Sequence, residues 1–235
     1  MTVMQYSTLS RKIFTAARNR IGARINRIGT RYADFSIISN DCWGGAVYQD
    51  FGLEYRTPFV GLYLMAPCFV QLVSDLQGHL GASLEFVARS RYPEVNEYRA
   101  RQTSPHPIGL LNGQIEIQFL HYRSPQEARE KWERRCRRLN FKRLAIKLSA
   151  DKDGCTSELV NRFTRLPLQR KLVLTAKAYR GVECAVHVRD YTIDGMLMYR
   201  RSIKFFDLVS WLNDGSIRTD SPRVRMNRLL YAINS

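Results

Sequence analysis

Between residues 143 and 176 the chain spells strand, helix, strand, and that order admits few folds. Residues 143–149 and 171–176 are aliphatic runs of strand length, and a helical stretch over residues 157–165 lies between them. A strand that returns to its sheet through a helix must pair in parallel, and the crossover is right-handed. The rest of the chain agrees with an α/β fold built on a mixed, partly parallel sheet with flanking helices. Residues 34–39 read as a buried strand ending in a polar turn, and residues 84–88 as a short strand. Residues 108–111 and 115–119 flank Asn112-Gly113, a strong hairpin signal. Residues 57–64 form a further apolar run, and residues 67–76 and 204–212 read as helices. The tail from residue 222 is basic and carries a short helix. Residues 90–107, rich in proline and arginine, read as a long loop or lid.

Charge narrows the partners. The formal net charge is +16, and residues 1–32 hold seven basic residues and no acid. Residues 123–147 hold ten basic residues against three acids, so these two segments carry most of the excess. Concentrated positive charge points to anionic partners. Phe14, Ala17, Ile21, Ile25 and Ile28 fall on one stripe at helical spacing, with Arg20, Arg24, Arg27 and Arg31 along its flank. Residues 1–32 are therefore a basic amphipathic helix, which lies on an anionic membrane surface or packs on the rest of the fold. Residues 33–235 form one α/β domain, with a division into two lobes near 120–140. The second basic segment opens with Ser124 as N-cap, Pro125 in the first turn and Glu127 completing a capping box. Ala128, Trp132, Cys136 and Leu139 make its inward stripe.

Several classes are excluded or disfavoured. No apolar run reaches the roughly 18 residues of a membrane-spanning helix. The first 30 residues lack the apolar centre of a secretory signal. The five cysteines have no metal-ligand spacing, and an odd number without a signal peptide reads as reduced thiols in a cytoplasm. A pI near 10.0 invites nucleic acid. No motif for it is present, so no specific nucleic-acid partner is expected.

Two polar tips follow strands, where open α/β sheets bind ligands. The first is Ser39-Asn-Asp-Cys-Trp-Gly-Gly45. Asn40 and Asp41 offer polar contacts, Trp43 a face on which a sugar stacks, and Gly44 and Gly45 backbone N–H groups. A tight turn with Trp43 plugging the core is the competing reading. The second tip runs from Ser149 to Cys155, where Asp151 and Asp153 hold a divalent cation or act as a base, or simply make a helix cap and turn. His121 and Tyr122 close the hairpin strand, and a histidine there is poised for proton transfer. Ser39 or Cys42 would be the nucleophile of a covalent mechanism, although no nucleophile-elbow spacing is present.

At these residues the chain resembles a bacterial domain-of-unknown-function family often labelled exopolysaccharide biosynthesis protein. The matching segments are Ile37-Ile-Ser-Asn-Asp-Cys-Trp-Gly-Gly45, Tyr55-Arg-Thr-Pro-Phe-Val-Gly61, Phe119-Leu-His-Tyr122 with Glu127-Ala and Lys131-Trp-Glu-Arg134, and Asp151-Lys-Asp-Gly-Cys155. The resemblance spans most of residues 34–177 and implies an α/β fold and a place in capsule or exopolysaccharide assembly. The expected activity is a transferase, most simply a glycosyltransferase. It would use a nucleotide sugar, with Mg²⁺ or Mn²⁺ as the conceivable metal, and a lipid-linked saccharide at the inner membrane face. Asp41, His121, Asp151 and Asp153 are the candidate bases. Lys131 and Arg135 are candidates to steady the leaving phosphate. Ser39, Asn40, Cys42, Trp43, Gly44, Gly45 and Tyr122 are candidate substrate contacts. The alternatives are a sugar O-acyl- or phospho-transferase, or a non-catalytic adaptor tethering other polysaccharide-assembly proteins to the membrane.

Overall fold

Four strands, β1 (Ser36–Ser39), β5 (Leu144–Ser149), β6 (Lys171–Thr175) and β7 (Ala185–His187), lie side by side in that order, all parallel. The coordinates are a computed structural model and describe residues 21–231. Parallel strands are covered on both faces, which explains why β1 is buried at every position. Alternation along β5 splits the core in two. Ile146 and Leu148 join Ile38 and Val173 on one face, under α3 (Ala66–Ser74), α6 (Pro125–Cys136) and α7 (Ser157–Arg165). Ala145 joins Ile37, Leu172 and Leu174 on the other, under α2 (Trp43–Phe51), α8 (Gly195–Ser202) and α9 (Leu208–Asp214). Helix α7 links β5 to β6, so the fold is α/β as the strand–helix–strand order requires.

Between α2 and β5 the chain builds a second, antiparallel sheet in the order β2 (Leu84–Val87), β3 (Ile108–Leu111), β4 (Ile115–Gln118). Asn112 and Gly113 turn the hairpin at φ of 52° and 64°, the left-handed geometry that the Asn-Gly pair suits. A bridge from Tyr63 to Gln118 and the packing of α3 join this sheet to the rest. Helix α6 starts as its sequence demands. Ser124 Oγ accepts from Glu127 N at 3.1 Å, and the Glu127 carboxylate reaches back to Arg123 N at 2.8 Å, one residue beyond the expected partner. Ala128 and Trp132 are buried and face the core.

The structure corrects several sequence expectations. Residues 90–107 are not a continuous loop: Pro93 starts a helix, α5 (Pro93–Ala100), which seats Val95 in the interior. The helix expected over residues 67–76 stops at Ser74. Asp75 then accepts from Gly78 N at 3.1 Å and caps a separate short helix, α4 (Leu76–Leu80). The helix expected over 204–212 starts later, at Leu208, because Asp207 caps it through Val209 N and Ser210 N. The turn expected after Asp41 is the first turn of α2, and the apolar run at 57–64 is largely irregular chain.

The N-terminal stripe divides. Phe14, Ala17 and Arg20 lie outside the described residues. Within α1, helical through residues 21–27, the buried positions are Gly22 and Asn26. They pack on α10 (Pro222–Tyr231), where Asn227 Nδ2 donates to Asn26 Oδ1 at 3.1 Å. Ile21 and Ile28, expected to pack inward if the stripe met the fold, are 52% and 69% exposed. Close approach of two helices favours the small and the hydrogen-bonding side chains, so Ile21 and Ile28 are left outside while Ile25 is half-buried.

Candidate functional site

The turn after β1 is built around a buried charge. Asn40 stitches the carboxyl ends of β1 and β5 together, its side chain accepting from Ser149 N at 2.8 Å and donating to Ser149 O at 3.3 Å. Asp41 then points into the interior. Its Oδ1 accepts from Lys147 Nζ at 2.8 Å and Trp43 N at 3.1 Å. Its Oδ2 meets Lys152 Nζ and Ser149 Oγ, both at 2.9 Å. Burial alone would push this carboxyl up, but the two ammoniums outweigh it and hold it well below the usual carboxylate range. Lys147 is fully buried in mid-sheet, and desolvation pushes its ammonium down to about 8 against the pull of Asp41. Helix α8 begins directly on this turn. A Cβ on Gly195 would stand 2.9 Å from Cys42 N and 3.0 Å from Trp43 N, so only glycine fits.

The second tip presents a carboxyl of the opposite kind. Asp151 and Asp153 both sit in left-handed backbone, at φ of 59° and 52°. Asp151 turns away: it accepts from Ala176 N at 2.8 Å and pairs with Lys177 at 3.4 Å. Lys152 is nearly buried and joins Asp41 to Ile193 O, to which it donates at 2.9 Å. Asp153 faces a hollow of about 200 Å³ lined by Tyr63, Met65, Glu94, Val95 and Gly154. Its Oδ2 is buried without a hydrogen-bond partner, with the Lys152 ammonium 3.4 Å away. Burial pushes the Asp153 carboxyl up. Lys152 opposes that shift, but the charge of Asp41 adds to it, and the net direction is upward.

One segment, residues 60–66, draws the tips together. Gly61 O accepts from His121 N at 3.0 Å, Leu62 O from the Cys42 thiol at 3.9 Å, and Asn40 O from Leu64 N at 2.9 Å. Ala66 N donates to Asp153 O at 2.8 Å, and Tyr63 and Met65 line the hollow. Asn40, Asp41, Cys42, His121 and Asp153 thus share one neighbourhood at the carboxyl ends of β1 and β5. His121 is exposed at its rim. Beside it Tyr122 donates to Val60 O at 2.6 Å and accepts from Arg135 at 2.6 Å, while Lys131 pairs with Glu127 at 2.6 Å.

Other expected site residues stand elsewhere. Trp43 has no exposed surface. It packs edge-on against Tyr199 and Trp211, each with its ring centroid 5.9 Å away, and donates to Ser202 Oγ at 3.0 Å, so it plugs the core instead of offering a face to a sugar. Gly44 and Gly45 are buried in α2, and Gly44 N donates to Ser39 Oγ at 3.2 Å. Ser39 is itself fully buried and donates to Asp41 O at 2.6 Å, which leaves it no path to a substrate. The Cys42 thiol is pushed up by burial and by Asp41, the opposite of an activated nucleophile. Asp151 and Asp153 face different partners, and among the described residues no group of three or more His, Cys, Asp or Glu side chains is placed to hold a metal. Lys147, Ser149, Lys152, Tyr63 and Glu94 were not singled out from sequence. The one available signal was a lysine at the centre of the aliphatic run Leu-Ala-Ile-Lys-Leu-Ser. Among the described residues no helix is long and apolar enough to cross a membrane.

Comparison with known proteins adds a family but no activity. The family described as "Domain of unknown function (DUF1919)" matches residues 13–213. The chain is also similar to an uncharacterized protein of Haemophilus influenzae, 28% identical over 214 residues that cover 86% of this chain and 97% of that one.

Proposed function

Taking as premise that the chain belongs to the DUF1919 family, we propose that it is a sugar-directed transferase, most simply a glycosyltransferase, with Asp153 as its general base. The observation that carries this reading is the contrast at the carboxyl end of β5. Asp153 lines a hollow with a raised pKa and a buried oxygen without a hydrogen bond, while Asp41 beside it is saturated with donors. Perturbed carboxyls in hollows are candidates for acid–base work. In the step proposed, Asp153 takes the proton of an acceptor hydroxyl as its oxygen bonds to the anomeric carbon. The bond from that carbon to the donor phosphate breaks, and its electron pair leaves with the phosphate. Tyr63 and Glu94 border the same hollow and supply polar contacts to the sugar. Arg135, on Val60 O, and Lys131, over the Tyr122 ring, stand near the rim beside His121 and would steady the phosphate. The setting proposed is capsule or exopolysaccharide assembly on a lipid-linked acceptor at the inner membrane face. The motif resemblance and the exposed Ile21 and Ile28 beside Arg24 and Arg27 support it. Ser39 and Cys42 speak against a covalent acyl transfer, being buried and unactivated respectively.

A thermal-shift panel of nucleotide sugars, with and without Mg²⁺ or Mn²⁺, tests the donor class, because binding to the native state raises the melting temperature. A rise with one nucleotide family is expected, and no rise across the panel overturns the reading. With a donor in hand, Asp153→Asn should keep donor binding and lose turnover by about 10² or more. Unchanged turnover removes Asp153 as base.

A further inference from the structure

Two hollows, of about 400 and 530 Å³, adjoin along α2 and share Gln49 and Asp50. The first is walled by α8, the second by α1. Together they make one groove running from Asp194 to Ile21. Its surface is both apolar and basic. Ile21, Met196 and Leu197 line it and are 52%, 40% and 42% exposed. Arg200 lies in the first hollow, Arg24 and Arg27 in the second, and none of the three enters an ion pair among the described residues. Two acids also line it. Asp194 caps α8 through Met196 N and Leu197 N, and Asp50 accepts from Tyr199 at 2.6 Å; burial pushes the Asp50 carboxyl up against the pull of that bond and of the nearby Arg200 charge.

The position of the groove gives it a purpose. Its Asp194 end precedes Gly195, which rests on the Asp41–Cys42–Trp43 turn, and the segment before it holds the Lys152 ammonium through Ile193 O. The Asp194 end of the groove therefore adjoins the turn that holds Lys152, the lysine beside Asp153. We infer that this groove binds a single phosphate-bearing lipid chain, with the phosphate at Arg200 and the hydrocarbon laid over Leu197 and Met196 toward Ile21. Arg24 and Arg27 stand where the chain emerges and suit an anionic membrane surface. An arginine recognises phosphate through charge-assisted hydrogen bonds, and the aliphatic side chains contribute by burial of the tail. The inference rests on the transferase reading for the identity of the acceptor, but not for the groove's affinity.

Binding is therefore measured without turnover, by titration calorimetry of the whole protein with n-dodecyl phosphate below its micelle concentration. Dodecyl phosphate should bind about tenfold or more tightly than inorganic phosphate or dodecyl maltoside. Arg200→Gln should weaken it by about tenfold, and Ile21→Asn with Leu197→Asn by a similar factor, with melting temperatures near that of the parent. Equal affinity for the three probes overturns the proposal even if the variants fail to fold. Binding that survives both variants overturns it as well. Should the groove bind as described while Asp153→Asn leaves turnover intact, the transferase chemistry fails and the lipid site stands. Should the groove not bind, the role of Asp153 is untouched.

Discussion

Asp41, buried, and Asp153, half-buried, belong to one cluster and share a lysine, yet they are driven in opposite directions. Asp41 has two ammoniums, a serine hydroxyl and a backbone N–H on its two oxygens. Asp153 has half a claim on one ammonium at 3.4 Å and an oxygen with no hydrogen bond. Burial acts on both, so the number of partners decides the sign. A carboxylate saturated with donors is a structural keystone. One that is starved of them beside a hollow retains the basicity that chemistry needs.

Four measurements would break or sharpen that contrast. The largest effect belongs to Asp41→Ala, which leaves Lys147 buried without its counter-ion. About 3–5 kcal/mol should be lost, seen as a fall of about 10 °C in melting temperature. Asp153→Asn should leave the melting temperature nearly unchanged or raise it, and an equal fall in both variants would abolish the distinction. Next comes acid. The Asp41 carboxyl is depressed in the fold, so its stabilisation is present above the unfolded value of about 4 and disappears as pH falls below it. Asp153 is raised, so its ionisation costs stability above about pH 4, and Asp153→Asn should gain on the parent as pH rises from there. Urea midpoints across the acid range would show whether the two variants diverge in this way. Smaller is Gly195→Ala, whose added methyl meets backbone nitrogen at 2.9 Å and should destabilise by about 1–3 kcal/mol in denaturant titrations. The smallest is Trp43→Phe, which removes the indole donor to the Ser202 hydroxyl and should cost about 0.5–1.5 kcal/mol by the same titration, without altering donor affinity. Loss of donor affinity with an intact fold would return Trp43 to the site.

The legible parts of this chain were those where local pattern and tertiary role agree. The β5–α7–β6 crossover, the Asn112-Gly113 hairpin and the Ser124 cap follow from spacing and turn chemistry alone. Gly44-Gly45 has the sequence of a loop and suggests a ligand turn, but burial on both sides overrides that propensity and the segment is the start of α2. The α1 stripe was read by apolar periodicity, yet the close partner on α10 selects Gly22 and Asn26 instead. Of the site, Asp41 and Asp153 were named from their positions after strands. Their opposite roles were not, since those depend on Lys147, which sits 106 residues from Asp41 in sequence. No local pattern records such a pairing.

That separation has a consequence for synthesis. At about 5–20 residues per second, roughly 5–20 s pass between the emergence of Asp41 and that of Lys147. Throughout that interval the nascent β1 has neither its neighbouring strand nor its counter-ions. The parallel sheet therefore cannot begin to close around its first strand until β5 has emerged. The intervening antiparallel unit has time to collapse first, so the ionic lock is a late seal on a partly assembled molecule.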